Sequence, residues 1–405
     1  MMWRQRRQTR EHGRRGQDPE RPARRGRTAA LALASVVLAG GLAACGKAAQ
    51  VGEAGVGQGV PRDSNAIGVL LPGSTDRWEK YDRPLLERRI KELCDTCTVR
   101  SASARQEVTI QRQQIDAMIT QGVRVLILSS VDSRSVRSSV EKAREAGIDV
   151  IAYDRLAEGP VSGYVSFDGE EVGRLQGEAL LEALGDEAAN SQIVMMNGDP
   201  ADPNSGWFRE GALSVLEDRV TIGKAYDTVE WRPLNAHINM AGAIAALGAD
   251  RIDAVYSAND GLASGIISAL KAARIDPLPP VTGQDAELAG IQRIVAGEQY
   301  MTVYKPFALE ADAAAEMAVA LIRGQSLDGI ATTTVTSDGT GPGTDGDTGP
   351  HGVPAVLLTP VPVTADNILD TVVEDGVYTV DEICTGKYAS ACEQAGLTND
   401  DDRQE

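Results

Sequence analysis

The chain has 405 residues, of which 42% are hydrophobic and 24% charged, a composition typical of a folded protein, and at roughly 150 residues per domain it predicts two domains. The formal net charge is −18, which disfavours nucleic acid and anionic membrane surfaces as partners because like charges repel. Only 4% of the residues are aromatic and three are histidine, so we expect neither an enzyme nor a metal or cofactor site.

The amino terminus has the features of an export signal. Residues 1–28 are polar and rich in arginine, and Ala29–Leu42 is an apolar run. A run of about fourteen residues is too short to cross a bilayer of about 30 Å as a helix, and it is typical of the apolar part of a signal peptide. We therefore predict a signal peptide over residues 1–44.

The apolar run ends in the sequence LAACG, in which the cysteine is Cys45. This motif resembles the lipobox of bacterial lipoproteins, which implies cleavage before Cys45 and attachment of diacylglycerol to its sulfur. The alternative is an ordinary secretory signal with an unrelated cysteine. Residues 45–63 are rich in Gly, Ala and Gln without periodicity, and we interpret them as a flexible tether. The expected location is the extracytoplasmic face of the cell membrane, with the lipid anchor as the only membrane contact.

From Ala66 onward, predicted strands and helices alternate. The strands are Ala66–Leu71, Thr98–Ser101, Val123–Leu128, Ile148–Tyr153, Gly163–Ser166, Gln192–Met196, Val220–Tyr226, Ala254–Ser257, Val281–Thr282 and Met301–Tyr304. The helices are Arg77–Leu93, Val108–Gln121, Ser135–Ala146, Glu170–Leu184, Ser205–Glu217, Leu234–Leu247, Gly261–Ala273 and Asp285–Ala296. This alternation indicates an α/β protein whose parallel sheets are covered by helices on both faces.

Four cysteines remain after the lipobox cysteine, an even number that suits an oxidising compartment. They are Cys94, Cys97, Cys384 and Cys392. Four cysteines allow three pairings, and the local pairing needs only short loops. A redox Cys-x-x-Cys would follow a strand at a helix amino terminus, whereas Cys94 follows a predicted helix; a zinc site would require both pairs to meet in space. We expect structural disulfides.

Polar side chains come after several predicted strands, at the edge where parallel sheets bind ligands. They are Asp154, Arg155, Asn204, Asn259, Asp285 and Lys305. Each Asp or Asn alone is also typical of a helix N-cap. Together, carboxylates, amides and two cations suit bidentate hydrogen bonds to neighbouring hydroxyl groups, whereas a phosphate would favour backbone nests or clustered cations.

Two tryptophans lie in connections that are expected at the same edge. Trp78 follows the first strand, and Trp231 lies between a strand and a helix. A pyranose has apolar C–H faces that pack on indole rings, so this pair suits a sugar site. The alternative is that both rings pack in the core at helix amino termini.

Seven segments occur in an order that resembles one known family. They are IGVLLPG…DRWEKYDRP, IDVIAYDRL, YVSFDGEEVGRLQG, WFREGAL, IDAVYSANDG, GQDAELAGIQRIVAGEQYMTVYKP and LLTPVPVTADNILDTVVEDG. From about residue 65 to 380 the chain resembles the bacterial xylose-binding proteins of the type I periplasmic sugar-binding superfamily. The resemblance implies two doubly wound parallel-sheet lobes joined by a three-strand hinge. It also implies a monomer that closes on one monosaccharide, D-xylose or alternatively glucose or another aldose, and delivers it to an ABC permease.

Matched residue by residue, the family's ligand contacts fall on nine positions of this chain. They are Arg77, Trp78, Asp154, Arg155, Asn204, Trp231, Asn259, Asp285 and Lys305. Pro203 and Gly206 depart from the family's pattern. The loop 335–353 is longer and richer in Gly than expected, and the tail after Val380 is additional.

The resemblance also implies how the lobes divide the chain. The first lobe is expected to contain 64–157 and 306–333, the second 158–305 and 354–400, with 334–353 as a Gly-rich crossover loop. The chain should leave the first lobe after Arg155, return near Lys305 and cross again in the Gly-rich loop.

Two motif matches within that loop carry no function. The segment 341–346 fits GxGxxG but has neither a strand before it nor a helix after it, so a nucleotide role is disfavoured. The loop's aspartates lack the terminal Glu of a calcium loop.

Three other classes of function are alternatives to a transport protein. An extracytoplasmic sensor of the same fold would signal to a receptor or kinase. A sugar-responsive repressor is disfavoured because an export signal stands where a DNA-binding motif would be. A glycosidase would require Asp154 and Asp285 to flank a scissile bond with shifted pKa values.

Overall fold

The computed structural model describes residues 65–73, 77–336 and 352–397. The predicted signal peptide, the lipidation site Cys45 and the tether 45–63 lie outside these residues. Most of the Gly-rich loop, including both discarded motif matches, also lies outside them.

The described residues form strands and helices that alternate along most of the chain. The strands are β1 (Ala66–Leu71), β2 (Thr98–Ser103), β3 (Val125–Leu128), β4 (Asp149–Tyr153), β5 (Gly163–Phe167), β6 (Gln192–Asn197), β7 (Thr221–Asp227), β8 (Ala254–Ser257), β9 (Thr302–Tyr304), β10 (Thr333–Thr336), β11 (Gly352–Leu358) and β12 (Val361–Val363). The α-helices are α1 (Arg83–Leu93), α2 (Val108–Thr120), α3 (Arg137–Glu145), α4 (Gly169–Leu184), α5 (Pro203–Leu216), α6 (Pro233–Leu247), α7 (Asp260–Ala272), α8 (Leu288–Val295), α9 (Phe307–Ile322), α10 (Val380–Ile383) and α11 (Ala389–Gln394).

The first lobe is built on a seven-stranded sheet in the order β10-β11-β5-β4-β3-β1-β2. Neighbouring strands are parallel except β10 and β11, which form an antiparallel pair. Strands β1 and β3 are apolar and buried along their whole length, because helices cover both faces of the sheet. Helices α1 and α9 pack against one face, and α2 and α3 against the other.

The second lobe is built on a three-stranded parallel sheet in the order β7-β6-β8. Val255 of β8 bridges to Val281, and backbone hydrogen bonds from Tyr300 to Val281 and from Val303 to Gly283 bring β9 alongside. Strand β12 pairs antiparallel with β9. Helices α4 to α7 pack against this sheet around one apolar core.

Three crossovers join the lobes, and two of them differ from the predicted boundaries. The crossover at Lys305-Pro306, between β9 and α9, lies where it was expected. Strand β5 was placed in the second lobe, but it pairs with β4 and β11 in the first-lobe sheet, so the chain leaves that lobe only after Phe167. Strands β10 and β11 also belong to the first lobe, so the segment 334–353 joins two strands of the same sheet, and the third crossover lies between β11 and β12. Strand pairing is a long-range contact, which the linear pattern does not reveal.

The local elements differ from the predictions at several places, and the predicted strand Val281–Thr282 forms only an isolated bridge from Val281 to Val255. Strands β1 and β8 have the predicted bounds. The predicted helix Arg77–Leu93 is divided, because a π-helical turn at Trp78–Asp82 precedes α1. The predicted helix Asp285–Ala296 begins only at Leu288, since Asp285 and Ala286 have φ angles of 84° and 47°. Helix α9 was not predicted.

The four cysteines form two local disulfides. Cys94 pairs with Cys97 at the end of α1, with Cα atoms 5.3 Å apart, and Cys384 pairs with Cys392 between α10 and α11, with Cα atoms 5.7 Å apart. Both pairs are therefore occupied in structural cross-links. Among the described residues there is no helix long and apolar enough to cross a bilayer, and no group of three or more His, Cys, Asp or Glu side chains arranged to hold a metal ion.

Candidate functional site

A small cavity lies between the lobes, at the carboxyl ends of strands from both sheets. Its volume is about 30 Å³, and it is lined by Arg77, Trp78, Asp154, Arg155, Asp202, Asn204, Phe208, Trp231, Asn259, Gln284, Asp285 and Lys305. All nine residues predicted from the sequence are among these. Since the volume is far below the 300–1,000 Å³ common for ligand pockets, the walls of this cavity lie nearly against one another.

A larger opening of about 520 Å³ also lies between the lobes. Its lining includes Arg134, Glu158 and Arg209, and it shares only Asp202 with the small cavity. Since none of the nine predicted residues lines it, the small cavity is the candidate site.

Arg77 enters the site at the start of the π-helical turn. Its guanidinium carbon lies 4.6 Å from the centroid of the Trp78 ring and 4.3 Å from that of Phe307. Both distances are within the range of cation–π contacts, which are strong where water is excluded. The two rings therefore fix the plane of the guanidinium.

Buried carboxylates surround the same guanidinium. Arg77 Nε and Nη2 donate to Asp82 at 3.0 and 3.1 Å, Nη2 donates to Glu310 Oε2 at 2.8 Å, and Nη1 donates to Asp154 Oδ1 at 3.3 Å. Burial raises the pKa of Asp82, and it raises the pKa of Glu310 well above its ordinary value, although Arg77 opposes the shift in both.

Asp154 behaves differently from those two carboxylates. Burial opposes its ionisation, but the charges of Arg77, Lys305 and Arg155 outweigh burial, so the pKa of Asp154 lies below its ordinary value. Asp154 is thus held as an anion facing the cavity, and an anionic carboxylate is a strong acceptor for hydroxyl groups.

The backbone of Asp154 has a φ of 59°, in the left-handed region. Its carbonyl oxygen accepts hydrogen bonds from Tyr164 Oη at 3.0 Å, Ser166 Oγ at 2.9 Å and Asn204 Nδ2 at 3.1 Å. A left-handed non-glycine residue persists only when its surroundings over-determine it, and here three donors do so.

Two contacts near Asp154 cross between the lobes. Asn204 belongs to the second lobe, and Arg155 Nε of the first lobe lies 2.8 Å from Asp202 Oδ2 of the second. Asp202 is the N-cap of α5 and also accepts from Trp231 Nε1 at 3.2 Å. Burial raises the pKa of Asp202, although Arg155 opposes the shift. This group of side chains connects the lobes when they are together.

The second-lobe wall contains Trp231, Phe208 and Asn259. Trp231 is buried with a φ of 53°, and its ring centroid lies 6.5 Å from that of Phe208. Asn259 caps α7, because its Oδ1 accepts from Leu262 N at 2.8 Å. Asn259 is therefore a helix N-cap, as the alternative interpretation predicts. Its amide NH₂ group is the part of the side chain that can donate to a ligand in the cavity.

Lys305 and Asp285 complete the site beside the second crossover. Lys305 Nζ lies 2.7 Å from Asp285 Oδ1, and Arg77 Nη1 of the first lobe lies 3.8 Å from the same oxygen. The Asp285 side chain is 13% exposed. The Asp285 carboxylate therefore lies near two cations, Lys305 at the crossover and Arg77 of the first lobe.

Three cavity residues were not predicted. Gln284 directly precedes Asp285, Asp202 lies two residues before Asn204, and Phe208 lies one turn of α5 after Asn204. Helices α4 and α5 pack closely enough that a Cβ on Gly173 would collide with the Phe208 carbonyl, and this close approach of two glycine-bearing helices brings Phe208 to the cavity. For Asp202, the only indication in the sequence of a place in the cavity is the run of polar residues around Asn204.

Some polar atoms of the cavity wall have no partner among the described residues. Asn204 Oδ1 and Gln284 Oε1 are buried without a hydrogen bond. Both are acceptors, and buried unpaired acceptors are uncommon in folded proteins. The wall therefore presents acceptors suited to a ligand that carries hydroxyl groups.

Comparison with known proteins gives consistent matches over most of the chain. Residues 67–326 match the model of the periplasmic binding protein domain. The D-xylose-binding periplasmic protein of Escherichia coli is 38% identical over 76% of this chain and 89% of its own length. The multiple sugar-binding periplasmic receptor of Rhizobium radiobacter is 34% identical over 68% of this chain and 81% of its own length.

A solved structure also matches. The ABC transporter solute binding protein of Clostridium phytofermentans, determined with bound β-D-glucose, superposes with a TM-score of 0.70 and 30% identity over 78% of this chain and 99% of its own. These matches confirm the resemblance and the α/β fold class predicted from the sequence. They also confirm the expectation that the chain is not an enzyme, since the matched proteins are named for binding.

Proposed function

The chain belongs to the periplasmic binding protein family and is a sugar-binding protein of the ABC transporter type, and from this premise we propose that it captures D-xylose between its lobes. One observation carries the proposal. Trp78 and Trp231 line one interlobe cavity together with charged and amide side chains from both lobes.

The chemistry of the wall supports a neutral aldose. The two indole rings offer faces for the C–H surfaces of a pyranose, and the charged pairs around them suit bidentate bonds to adjacent hydroxyls. A phosphate-bearing ligand is disfavoured because two acidic side chains, Asp154 and Asp285, lie in the wall. Of the two relatives described above, the first is named for D-xylose and the second for multiple sugars, and the matched structure holds glucose; glucose is therefore the alternative ligand.

Binding is proposed to drive closure of the lobes. Because the cavity is built from both halves, a sugar contacts its whole wall only when the lobes are together. Moving the population from mostly open to mostly closed takes about 5 kcal/mol of preferential binding, within reach of about ten hydrogen bonds and two stacked rings. The closed, liganded monomer would then deliver the sugar to an ABC permease.

A thermal-unfolding screen tests the ligand. D-xylose, D-glucose, D-ribose, L-arabinose and D-galactose are added separately to the purified chain. A ligand present at a hundred times its Kd should stabilise the chain by about 2.7 kcal/mol, and we expect the largest shift with D-xylose. A larger shift with D-glucose would replace xylose by glucose, and no shift with any aldose would contradict the proposal.

The membrane anchor is a separate proposal that rests on the lipobox around Cys45. Diacylglycerol on this cysteine would hold the chain at the extracytoplasmic face of the cell membrane. In cells expressing a Cys45→Ala variant, the protein should move from the membrane fraction to the soluble fraction or be retained unprocessed. A Cys45→Ala chain that is processed and still associates with the membrane as strongly as the unaltered chain would contradict lipidation at Cys45.

A further inference from the structure

The chain continues beyond the third crossover into a carboxyl-terminal segment, residues 364–397. It forms a π-helical turn at Leu369–Val373, then α10 and α11, and it is cross-linked by the Cys384–Cys392 disulfide. Its apolar side chains form one cluster with α8, to which Tyr304 also belongs. This segment therefore packs against the second lobe, close to the crossover that carries Lys305.

Tyr378 is the residue of this segment that reaches the binding site. The side chain is buried, and its hydroxyl donates to the backbone carbonyl of Ala286 at 3.1 Å. Ala286 directly follows Asp285, which faces the cavity. Tyr378 thus contacts the backbone that carries a proposed ligand residue, without lining the cavity itself.

The backbone that Tyr378 contacts needs outside support. Asp285 and Ala286 both have positive φ angles, a conformation that side chains other than glycine rarely adopt. Three hydrogen bonds hold this turn. Two come from β9, where Val303 O accepts from Asp285 N at 2.8 Å and Thr302 Oγ1 accepts from Ala286 N at 3.2 Å. The third is the bond from Tyr378.

The same tyrosine also meets the first lobe. Its ring packs edge-to-face on Tyr81, with centroids 6.4 Å apart and planes at 85°. Tyr81 lies in the π-helical turn, four residues after Arg77, and Arg77 faces Asp285 at 3.8 Å. One turn of the first lobe therefore contacts both Asp285 and the tyrosine that supports it.

We propose that Tyr378 is a positioning residue that fixes the direction of the Asp285 carboxylate toward the sugar, by tying the Ala286 carbonyl and by packing on Tyr81 when the lobes are together. This inference rests on the proposed function. It makes the carboxyl-terminal segment part of the binding apparatus although it does not touch the ligand.

The test is a Tyr378→Phe variant in the full chain, which removes the hydroxyl and keeps the ring. Because one hydrogen bond is lost, we expect the Kd for D-xylose, measured by isothermal titration calorimetry, to rise about three- to tenfold. The matched control is Tyr304→Phe, which removes the hydroxyl bonded to Asp375 at 2.9 Å in the same cluster. Its Kd should stay within about twofold of that of the unaltered chain, and the melting temperatures of the two variants without sugar should be similar.

A panel of deoxy sugars distinguishes positioning from general weakening. The Asp285→Asn variant identifies which hydroxyl Asp285 binds, because its loss of affinity disappears for the deoxyxylose that lacks that hydroxyl. If Tyr378 acts through Asp285, the loss caused by Tyr378→Phe shrinks for the same deoxyxylose.

An equal loss across all deoxy sugars, or a Kd equal to that of the unaltered chain, would overturn the inference while leaving the proposed function standing. If the unaltered chain binds neither D-xylose nor D-glucose, the proposed function fails and the inference fails with it. If glucose proves to be the ligand, the same comparison is made with deoxyglucoses.

Discussion

Asp154 and Asp285, the two aspartates of the cavity wall that lie near Arg77, are supported in different ways. Asp154 is 4% exposed, and two of the three donors to its carbonyl, Tyr164 and Ser166, belong to the neighbouring strand β5 of its own lobe. Asp285 is more exposed, and its turn depends on β9 and on the carboxyl-terminal segment. The first-lobe wall is therefore fixed by its own sheet, whereas the second-lobe wall is assembled from separate parts of the chain.

Removing either carboxylate is expected to have the largest effect. In Asp154→Ala and Asp285→Ala, charge-assisted hydrogen bonds to the sugar are lost and buried cations lose a partner, so the affinity for D-xylose should fall about a hundredfold or more. Titration calorimetry measures this loss. The Asp366→Ala variant, which alters an exposed aspartate, serves as the control and should bind normally.

If either site variant binds D-xylose with the affinity of the unaltered chain, that aspartate is not part of the binding site. Unequal losses would instead show which lobe contributes more of the binding free energy.

The pH dependence of stability should distinguish two buried aspartates, Asp260 and Asp154, whose contributions have opposite signs. Behind Asp285, burial raises the pKa of Asp260 to about 7, despite opposing contributions from Arg293 and Gln299. A raised carboxyl pKa means that the folded chain binds a proton that the unfolded chain releases near pH 4. The stability from this group is thus present at low pH and is lost as the pH rises from about 4 to about 7. The lowered pKa of Asp154 has the opposite sign, since its contribution is lost as the pH falls through its folded-state value.

Denaturant unfolding at a series of pH values measures this dependence. Asp260→Asn should remove a downward slope of up to about 1.4 kcal/mol per pH unit between pH 4 and pH 7, whatever its effect on stability at any one pH. Asp366→Asn should keep the original slope. If the slope is the same in Asp260→Asn as in the unaltered chain, Asp260 does not titrate in this range.

The smallest effect is expected from Tyr164→Phe. Its hydroxyl is one of three donors to the Asp154 carbonyl, and Ser166 and Asn204 remain when it is removed. The Kd for D-xylose should therefore change by less than about twofold, a smaller change than we expect for Tyr378→Phe. A tenfold loss would show that the first-lobe wall is no better supported than the second.

Much of the fold could be predicted because its strands are short, buried and apolar, as in β1 and β8. Eight of the nine predicted site residues could be expected at one edge because parallel strands deliver the residues that follow them there, whereas Arg77 was predicted only from the family resemblance. Helix α9 was not predicted because its sequence has no clear apolar periodicity. The helix is rich in alanine and is buried on several sides.

The remaining differences depend on long-range contacts. The lobe membership of β5 and β11 is decided by strand pairing. The left-handed turn at Asp285 is held by the hydrogen bond that Ala286 N donates to Thr302 Oγ1 and by the one that Tyr378 donates to the Ala286 carbonyl. Asp202 and Phe208 reach the cavity through the packing of α5, which no local pattern encodes.

Each of the two disulfides cross-links one half of the molecule. Cys94–Cys97 closes a loop at the end of α1 in the first lobe, and Cys384–Cys392 closes a loop in the segment that packs on the second. Within the part of the chain that the structure describes, neither covalent cross-link spans the cleft. The disulfides therefore cross-link each half separately, and neither restrains the lobe closure that we propose to accompany sugar binding.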